Sequence, residues 1–335
     1  MEVDRLKMPP SQSAAPDCQP SPHSETPSPH IVVLGTGGTI SCTHDATGAL
    51  VPTLSTTELL QPVAHRFDID VIIEPRDIAR LDSSSITFDD YDTINAAIVD
   101  ALSDPHVTGV IVTHGTDSME ESAMAADIIH NDPRPVIFTG AQRPADDPEA
   151  DGPVNLFDSI VVAMDASARD IGVLIVFGHA VIPARGAMKW HTSDPLAFAT
   201  NAPDESPRPR PLPAVTFAGH RVDIIPAYPG ADATLIHAAI AAGAEGLVIE
   251  GMGAGNVGDV LADAITFVTE QGTPVVMTSR VPRGEVSAQY GGAGGGLTLT
   301  RKGVIGAQCV HAGQARVILA AAIDAGVSPH ALFDV

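Results

Sequence analysis

Ile31-Val32-Val33-Leu34-Gly35-Thr36-Gly37-Gly38-Thr39-Ile40-Ser41 is the stretch that settles the class of fold. Its four leading residues are aliphatic without alternation. That pattern reads as a strand buried on both faces, as in a parallel sheet covered by helices. The glycines that follow let backbone N–H groups approach a ligand, at the strand end where open α/β sheets bind their ligands. A dinucleotide-binding fingerprint would need glycine where Ile40 stands, and the GK[ST] ending of a P-loop is absent. The segment therefore offers one reactive group, the Thr39 hydroxyl just beyond a strand end. The alternative is a plain strand-to-loop turn.

Similar apolar runs recur along the chain, at Val71–Ile73, Gly109–Thr113, Val136–Thr139 and Gly172–Phe177. Helical patterns at Thr87–Leu102, Asp117–His130 and Asn155–Ala166 lie between them, and this alternation predicts a parallel α/β sheet. A Pro-rich stretch at 203–221, containing Pro207-Arg208-Pro209-Arg210-Pro211, reads as a linker. Beyond it a smaller α/β unit is expected, with strands at Val222–Ala227, Gly246–Glu250 and Pro274–Thr278. Its helices are expected at Ala233–Ala242, Gly258–Gln271 and Gln314–Ala325. Residues 1–30 hold almost no aliphatics and read as a disordered arm. The predicted organisation is thus a larger N-terminal catalytic domain at 31–202, the linker at 203–221 and a C-terminal domain at 222–335.

Composition removes several classes of function. The 335 residues carry 41 Asp+Glu against 18 Lys+Arg, a formal net charge of −23, which opposes binding to nucleic acid and to anionic membranes. Cys18, Cys42 and Cys309 are widely spaced and provide neither a disulfide framework nor a CxxC metal site. No apolar run is long enough to span a bilayer, and no signal-peptide core is present. A cytoplasmic enzyme or binding protein is the expectation, with no metal and no organic cofactor, since the histidines show no metal-ligand spacing.

A second strand end carries Thr113-His114-Gly115-Thr116-Asp117-Ser118-Met119-Glu120-Glu121. Thr116 or Asp117 would suit a helix N-cap. Yet two strand ends, each with a threonine beside a glycine, point to one crevice holding two hydroxyls. A threonine hydroxyl is a poor nucleophile unless a base takes its proton. Lys189 is the only lysine between Lys7 and Lys302. A lysine kept where the other basic positions are arginine suits a task arginine cannot do, because lysine gives up its proton and arginine does not. Asp82-Ser83-Ser84-Ser85 offers further hydroxyls at the same edge. Gly253-Ala254-Gly255-Asn256 and the glycine run Gly291–Gly296 after Tyr290 are weaker signals.

Taken together, GTGGTIS at 35–41, THGTDSMEESA at 113–123 and the isolated Lys189 resemble the threonine-type L-asparaginase family, the bacterial asparaginase/glutaminases. The likeness extends through Gly140–Pro144, Asp151–Leu156, Gly253–Asn256, Ser279–Pro282 and Gln314–Val317, nearly everything from residue 31 to the end. The resemblance implies Thr39 as the acylated nucleophile, with Thr116, Asp117 and Lys189 as a second triad that activates a hydroxyl or water. Ser83 is similar to the serine that receives the substrate α-carboxylate, and Asp117 to the acid that receives its α-ammonium. Gly38, Ser84, Gly115 and Ala141 fall among the substrate-lining positions. Asn256 resembles the residue supplied by a neighbouring subunit of a dimer of dimers. Two departures stand out. The loop Ser41–Thr53 lacks the tyrosine that many members carry there, so Tyr290 is the candidate substitute. Ser84 stands where many members have glutamine, which leaves the preference for asparagine over glutamine open. The resemblance implies cofactor-free hydrolysis of L-asparagine to L-aspartate and ammonia. The rivals are broader asparaginase/glutaminase activity, a tRNA amidotransferase component and a non-catalytic amino-acid sensor.

Overall fold

In the computed structural model, residues 28–67, 70–202 and 208–333 are described. The expected arm lies outside them except for Ser28–His30. The N-terminal domain runs β1 (His30–Gly37), β2 (Cys42–His44), β3 (Leu50–Pro52), α1 (Thr56–Ala64), β4 (Ile72–Leu81), α2 (Phe88–Leu102) and β5 (Val107–Thr113). It continues with α3 (Met119–Ile129), β6 (Val136–Thr139), α4 (Gly152–Met164), β7 (Val173–Phe177), β8 (Ala180–Pro183), β9 (Ala187–Lys189) and β10 (Phe198–Thr200). The C-terminal domain comprises β11 (Val222–Pro226), α5 (Thr234–Ala241), β12 (Gly246–Gly251), α6 (Asp259–Glu270) and β13 (Val275–Ser279). Then come α7 (Gly296–Arg301), β14 (Ile305–Gly306), α8 (Ala312–Asp324) and α9 (His330–Phe333).

The large sheet has the order β4-β1-β5-β6-β7-β8, parallel except for β8. The aliphatic run of β1 is fully buried and its side chains alternate between two cores. Val32 and Leu34 meet α2 and α3 through Ile94, Ile98 and Ala123, while Ile31 and Val33 meet α1 and α4 through Leu59, Val63 and Ile160. A strand buried on both faces is what its unbroken apolar sequence requires. From β1 the chain passes to β4 on one side and then to β5 on the other. The carboxyl ends of β1 and β5 therefore form the switch point where such sheets hold ligands.

The second sheet, β11-β12-β13-β14, is parallel throughout. One face is covered by α5 and α6. The other packs on α8, which also meets α3, so one helix serves as a layer of both domains. The described part of the Pro-rich segment is a packed strap. The Arg208 guanidinium donates to Asp127 Oδ1 at 2.8 Å and to the His130 carbonyl at 2.7 Å. Leu212 N–H donates to the Ile128 carbonyl at 2.8 Å, and Phe217 is fully buried. Proline content signals a chain that cannot join a ladder; it carries no information about the arginine, leucine and phenylalanine that anchor the chain.

Most expected elements lie within a few residues of their observed bounds. The short pieces β2, β3, β8, β9 and β10, the helix α1 and most of the ten-residue β4 have no counterpart in the sequence pattern. In β4 the pattern IIEPRDIARL is polar and only partly buried, as suits the sheet's edge, so it lacks the apolar run that marks a central strand.

Candidate active site

Three strand ends build the site. Gly38 has φ of 81° and N-caps the 3-10 turn Thr39–Ser41. A Cβ on Gly38 would overlap the backbone of His114 and Gly115, and one on Gly115 would overlap the Ser83 side chain. The loops after β1, β4 and β5 are thus stacked with no room for side chains between them. The Thr36 hydroxyl donates to the Thr113 carbonyl at 2.8 Å and ties the ends of β1 and β5 together. Thr39, partly exposed, follows directly on this junction.

Beneath it lies His114, fully buried, whose Nδ1–H donates to the Gly115 carbonyl at 2.7 Å. Burial pushes its pKa down to about 4, so the ring is neutral at physiological pH and braces the loop without adding charge. Ser83, only 9% exposed, accepts the Asp117 N–H at 3.3 Å, and its carbonyl accepts the Ser118 hydroxyl at 2.6 Å. Ser84 is exposed and closes the Asp82 turn, donating to Asp82 Oδ1 at 2.9 Å.

The expected triad converges. Lys189 Nζ donates to Thr116 Oγ1 at 2.8 Å and to Asp117 Oδ1 at 2.7 Å. The Thr116 hydroxyl is buried, the Lys189 side chain is 19% exposed, and the Asp117 side chain is 58% exposed. The cluster therefore runs from a shielded hydroxyl to an open carboxylate. Its inner end suits proton exchange, and its outer end suits a cationic group. Ala141, fully buried, follows β6 beside these loops.

Asn256 and Tyr290 lie elsewhere. Asn256 Oδ1 accepts the Gly296 N–H at 3.2 Å, and the Tyr290 carbonyl accepts the Leu297 N–H at 3.1 Å, so both belong to one loop cluster of the C-terminal domain. The Tyr290 ring is 60% exposed, and among the described residues no hydrogen bond or ring contact joins it to the Thr39 loop. The loop itself is the hairpin of β2 and β3, latched by Asp146, which accepts the His44 backbone N–H at 2.9 Å and meets His44 Nδ1 at 3.1 Å.

Several supporting residues are not singled out by sequence reasoning. Asp151 accepts the N–H groups of Gln142 and Arg143 at 3.0 and 2.9 Å, which fixes the turn after β6. Gln142 Nε2 in turn donates to the His191 and Asp194 carbonyls at 3.2 and 3.3 Å, holding the loop after Lys189. Glu120 accepts the Lys189 backbone N–H. Glu120 lies within the motif at 113–123, but its place in the first turn of a helix, where acids are ordinary complements of the helix dipole, singles it out for no role. Among the described residues no cluster of three or more His, Cys, Asp or Glu could hold a metal, and no helix is long and apolar enough to cross a membrane.

An open α/β sheet thus brings a hydroxyl, an amine and a carboxylate together at its switch point, with a smaller α/β domain attached. The chain belongs to the asparaginase family of amidohydrolases. The model for "Asparaginase, N-terminal" matches residues 30–207, and that for "Glutaminase/Asparaginase C-terminal domain" matches residues 221–335. An L-asparaginase of Bacillus licheniformis is 30% identical, over 87% of this chain and 94% of that protein. A component of the glutamyl-tRNA(Gln) amidotransferase of Methanopyrus kandleri is also 30% identical, over 77% of this chain and 63% of that protein. The crystal structure of a probable cytoplasmic L-asparaginase from Campylobacter jejuni superposes with a TM-score of 0.79 at 25% identity, covering 92% of this chain and 98% of that one.

Proposed function

We propose that the chain is a cytoplasmic L-asparaginase that hydrolyses L-asparagine to L-aspartate and ammonia through an acyl-enzyme on Thr39. The observation that carries this reading is the Thr116–Lys189–Asp117 chain, with contacts of 2.8 and 2.7 Å, at the strand end next to Thr39. Thr39 Oγ attacks the side-chain amide carbon and its proton passes to the leaving ammonia. Backbone N–H groups of the strand-end loops carry the oxyanion. Water then attacks the ester, giving up a proton toward Thr116 and Lys189, and the Thr39 hydroxyl is restored. Lys189 without its third proton is the acceptor, which arginine cannot imitate. Ser83 receives the substrate α-carboxylate and Asp117 its α-ammonium, with Gly38, Gly115 and Ala141 lining the space between. Asn256 and Tyr290, clustered in the C-terminal domain, serve the site of a neighbouring subunit in a dimer of dimers.

The relationship to a tRNA amidotransferase component supports a second reading, in which the released ammonia feeds the amidation of a glutamyl-tRNA. The net charge of −23 opposes docking of tRNA phosphates and favours a free amino-acid substrate. Steady-state kcat/KM on L-asparagine, L-glutamine and D-asparagine tests the assignment. A preference of at least about tenfold for L-asparagine is expected; equal or greater kcat/KM on L-glutamine would overturn it.

A further inference from the structure

The sheets do little to hold Lys189 in place. Strand β9 is three residues long and pairs only with β10, itself three residues long. Besides backbone hydrogen bonds to neighbouring loops, side chains on two helices support it. Gln314, fully buried on α8, accepts the Gly186 N–H at 2.8 Å and donates to the Ala184 carbonyl at 2.6 Å. At the other end of the segment, Glu120 on α3 accepts the Lys189 backbone N–H. The Gln314 amide also donates to the Glu120 carbonyl at 3.2 Å, which joins the two anchors. The segment is therefore pinned at both ends, and the anchor at the amine's own residue is a carboxyl group.

That carboxyl has unusual company. Glu121 follows it, also half-buried, with Oε2 buried and lacking any hydrogen-bond partner among the described residues and Oε1 in the space that a Cβ on Gly313 would take. Burial, then the like charge of Glu121, pushes Glu120 up to about 8, and burial pushes Glu121 up to about 7. Lys189 on β9 opposes the shift of Glu120, Arg316 on α8 opposes that of Glu121, and Tyr91 on α2 faces both acids. Burial therefore disfavours charge on both acids.

We propose that Glu120 is a positioning residue of the hydrolytic site: by holding the Lys189 backbone N–H, its carboxyl fixes where the Lys189 amine stands. This rests on the reading of Thr116, Lys189 and Asp117 as the hydrolytic relay. A displacement of the amine by about one ångström would lengthen a 2.8 Å contact past hydrogen-bonding distance.

The test compares Glu120→Ala, Glu120→Gln and Lys189→Ala with the unmodified protein. It measures kcat and KM for L-asparagine from about pH 6 to pH 9. Glu120→Ala is expected to lower kcat about 100-fold and to change KM by less than about threefold. Glu120→Gln keeps an acceptor for the Lys189 N–H and is expected to restore most of the kcat. If Lys189→Ala is inactive while Glu120→Ala keeps its kcat, the positioning role is wrong and the site reading stands. If Lys189→Ala is active, the site reading itself fails. Should Glu120→Ala fold poorly, Glu120→Leu, which fills the space without accepting a hydrogen bond, takes its place, and an unchanged kcat in that variant overturns the proposal.

Discussion

Gly38 has no replacement that its surroundings accept. Its φ of 81° is left-handed, and a Cβ would enter the backbone of Gly115. Gly38→Ala is expected to cost about 1–3 kcal/mol of stability and to separate the two strand-end loops, which a lowered urea midpoint and a lowered kcat would record. Lys189→Arg keeps a donor for Asp117 but puts a fixed cation where the proton acceptor stands. A loss of about 10²- to 10⁴-fold in kcat is expected, and arginine restoring activity would contradict the proton-acceptor role. Lys189 was legible as a lysine among arginines, and Thr39 and Thr116 as hydroxyls beside glycines at strand ends. Glu120 was not legible. A solvent-facing acid at a helix start and one that accepts the Lys189 backbone N–H look the same in sequence, and only the fold tells them apart.

The longer strands and helices follow from local rules, while the short ones depend on the fold around them. β1, β5 and β7 are nearly pure aliphatic runs and are buried almost throughout. α1 carries a capping box in which Ser55 and Glu58 satisfy each other's backbone N–H groups. β9 has no sequence signal of its own; beyond its pairing with β10, Gln314 and Glu120 hold its two ends. Gln314→Ala is therefore expected to leave the Gly186 N–H without its partner and the Ala184 carbonyl with only the Ala187 N–H. The cost is about 1–3 kcal/mol, measurable as a shift in urea midpoint at constant m. A change below about 0.5 kcal/mol would show that β9 stands without this anchor.

Taken as one body, the protein is two α/β layers joined through α8, and its pH response follows from groups buried in that frame. Glu120 and Glu121 are raised above the ordinary 4.5, burial being the first cause for each. Burial lowers His220, but hydrogen bonds to Glu245 and Asp324 outweigh it and leave the group raised. Stability contributed by a raised group is full below its unfolded pKa and is lost as pH rises through its folded one. Glu120 and Glu121 therefore make stability fall as pH rises from about 4.5 to about 8 and about 7 respectively, and His220 makes it fall as pH rises above about 6.5. His114, His130 and His311 are lowered, burial first in each case, so below about 6.5 their contribution is lost as pH falls. Urea midpoints across this range check both slopes, and the double variant Glu120→Gln/Glu121→Gln should flatten the upper one. Domain order and the crevice were legible in the sequence, because apolar runs and glycine turns are local. The sharing of α8 was not, since it brings α3 against a helix about 190 residues further along the chain. The central claim is the threonine acyl-enzyme, and ammonia release from L-asparagine by the unmodified protein and by Thr39→Ala tests it most directly. Rapid release by the former and a fall of at least about 10³-fold in the variant are expected; a Thr39→Ala protein that releases ammonia at the unmodified rate would contradict the claim.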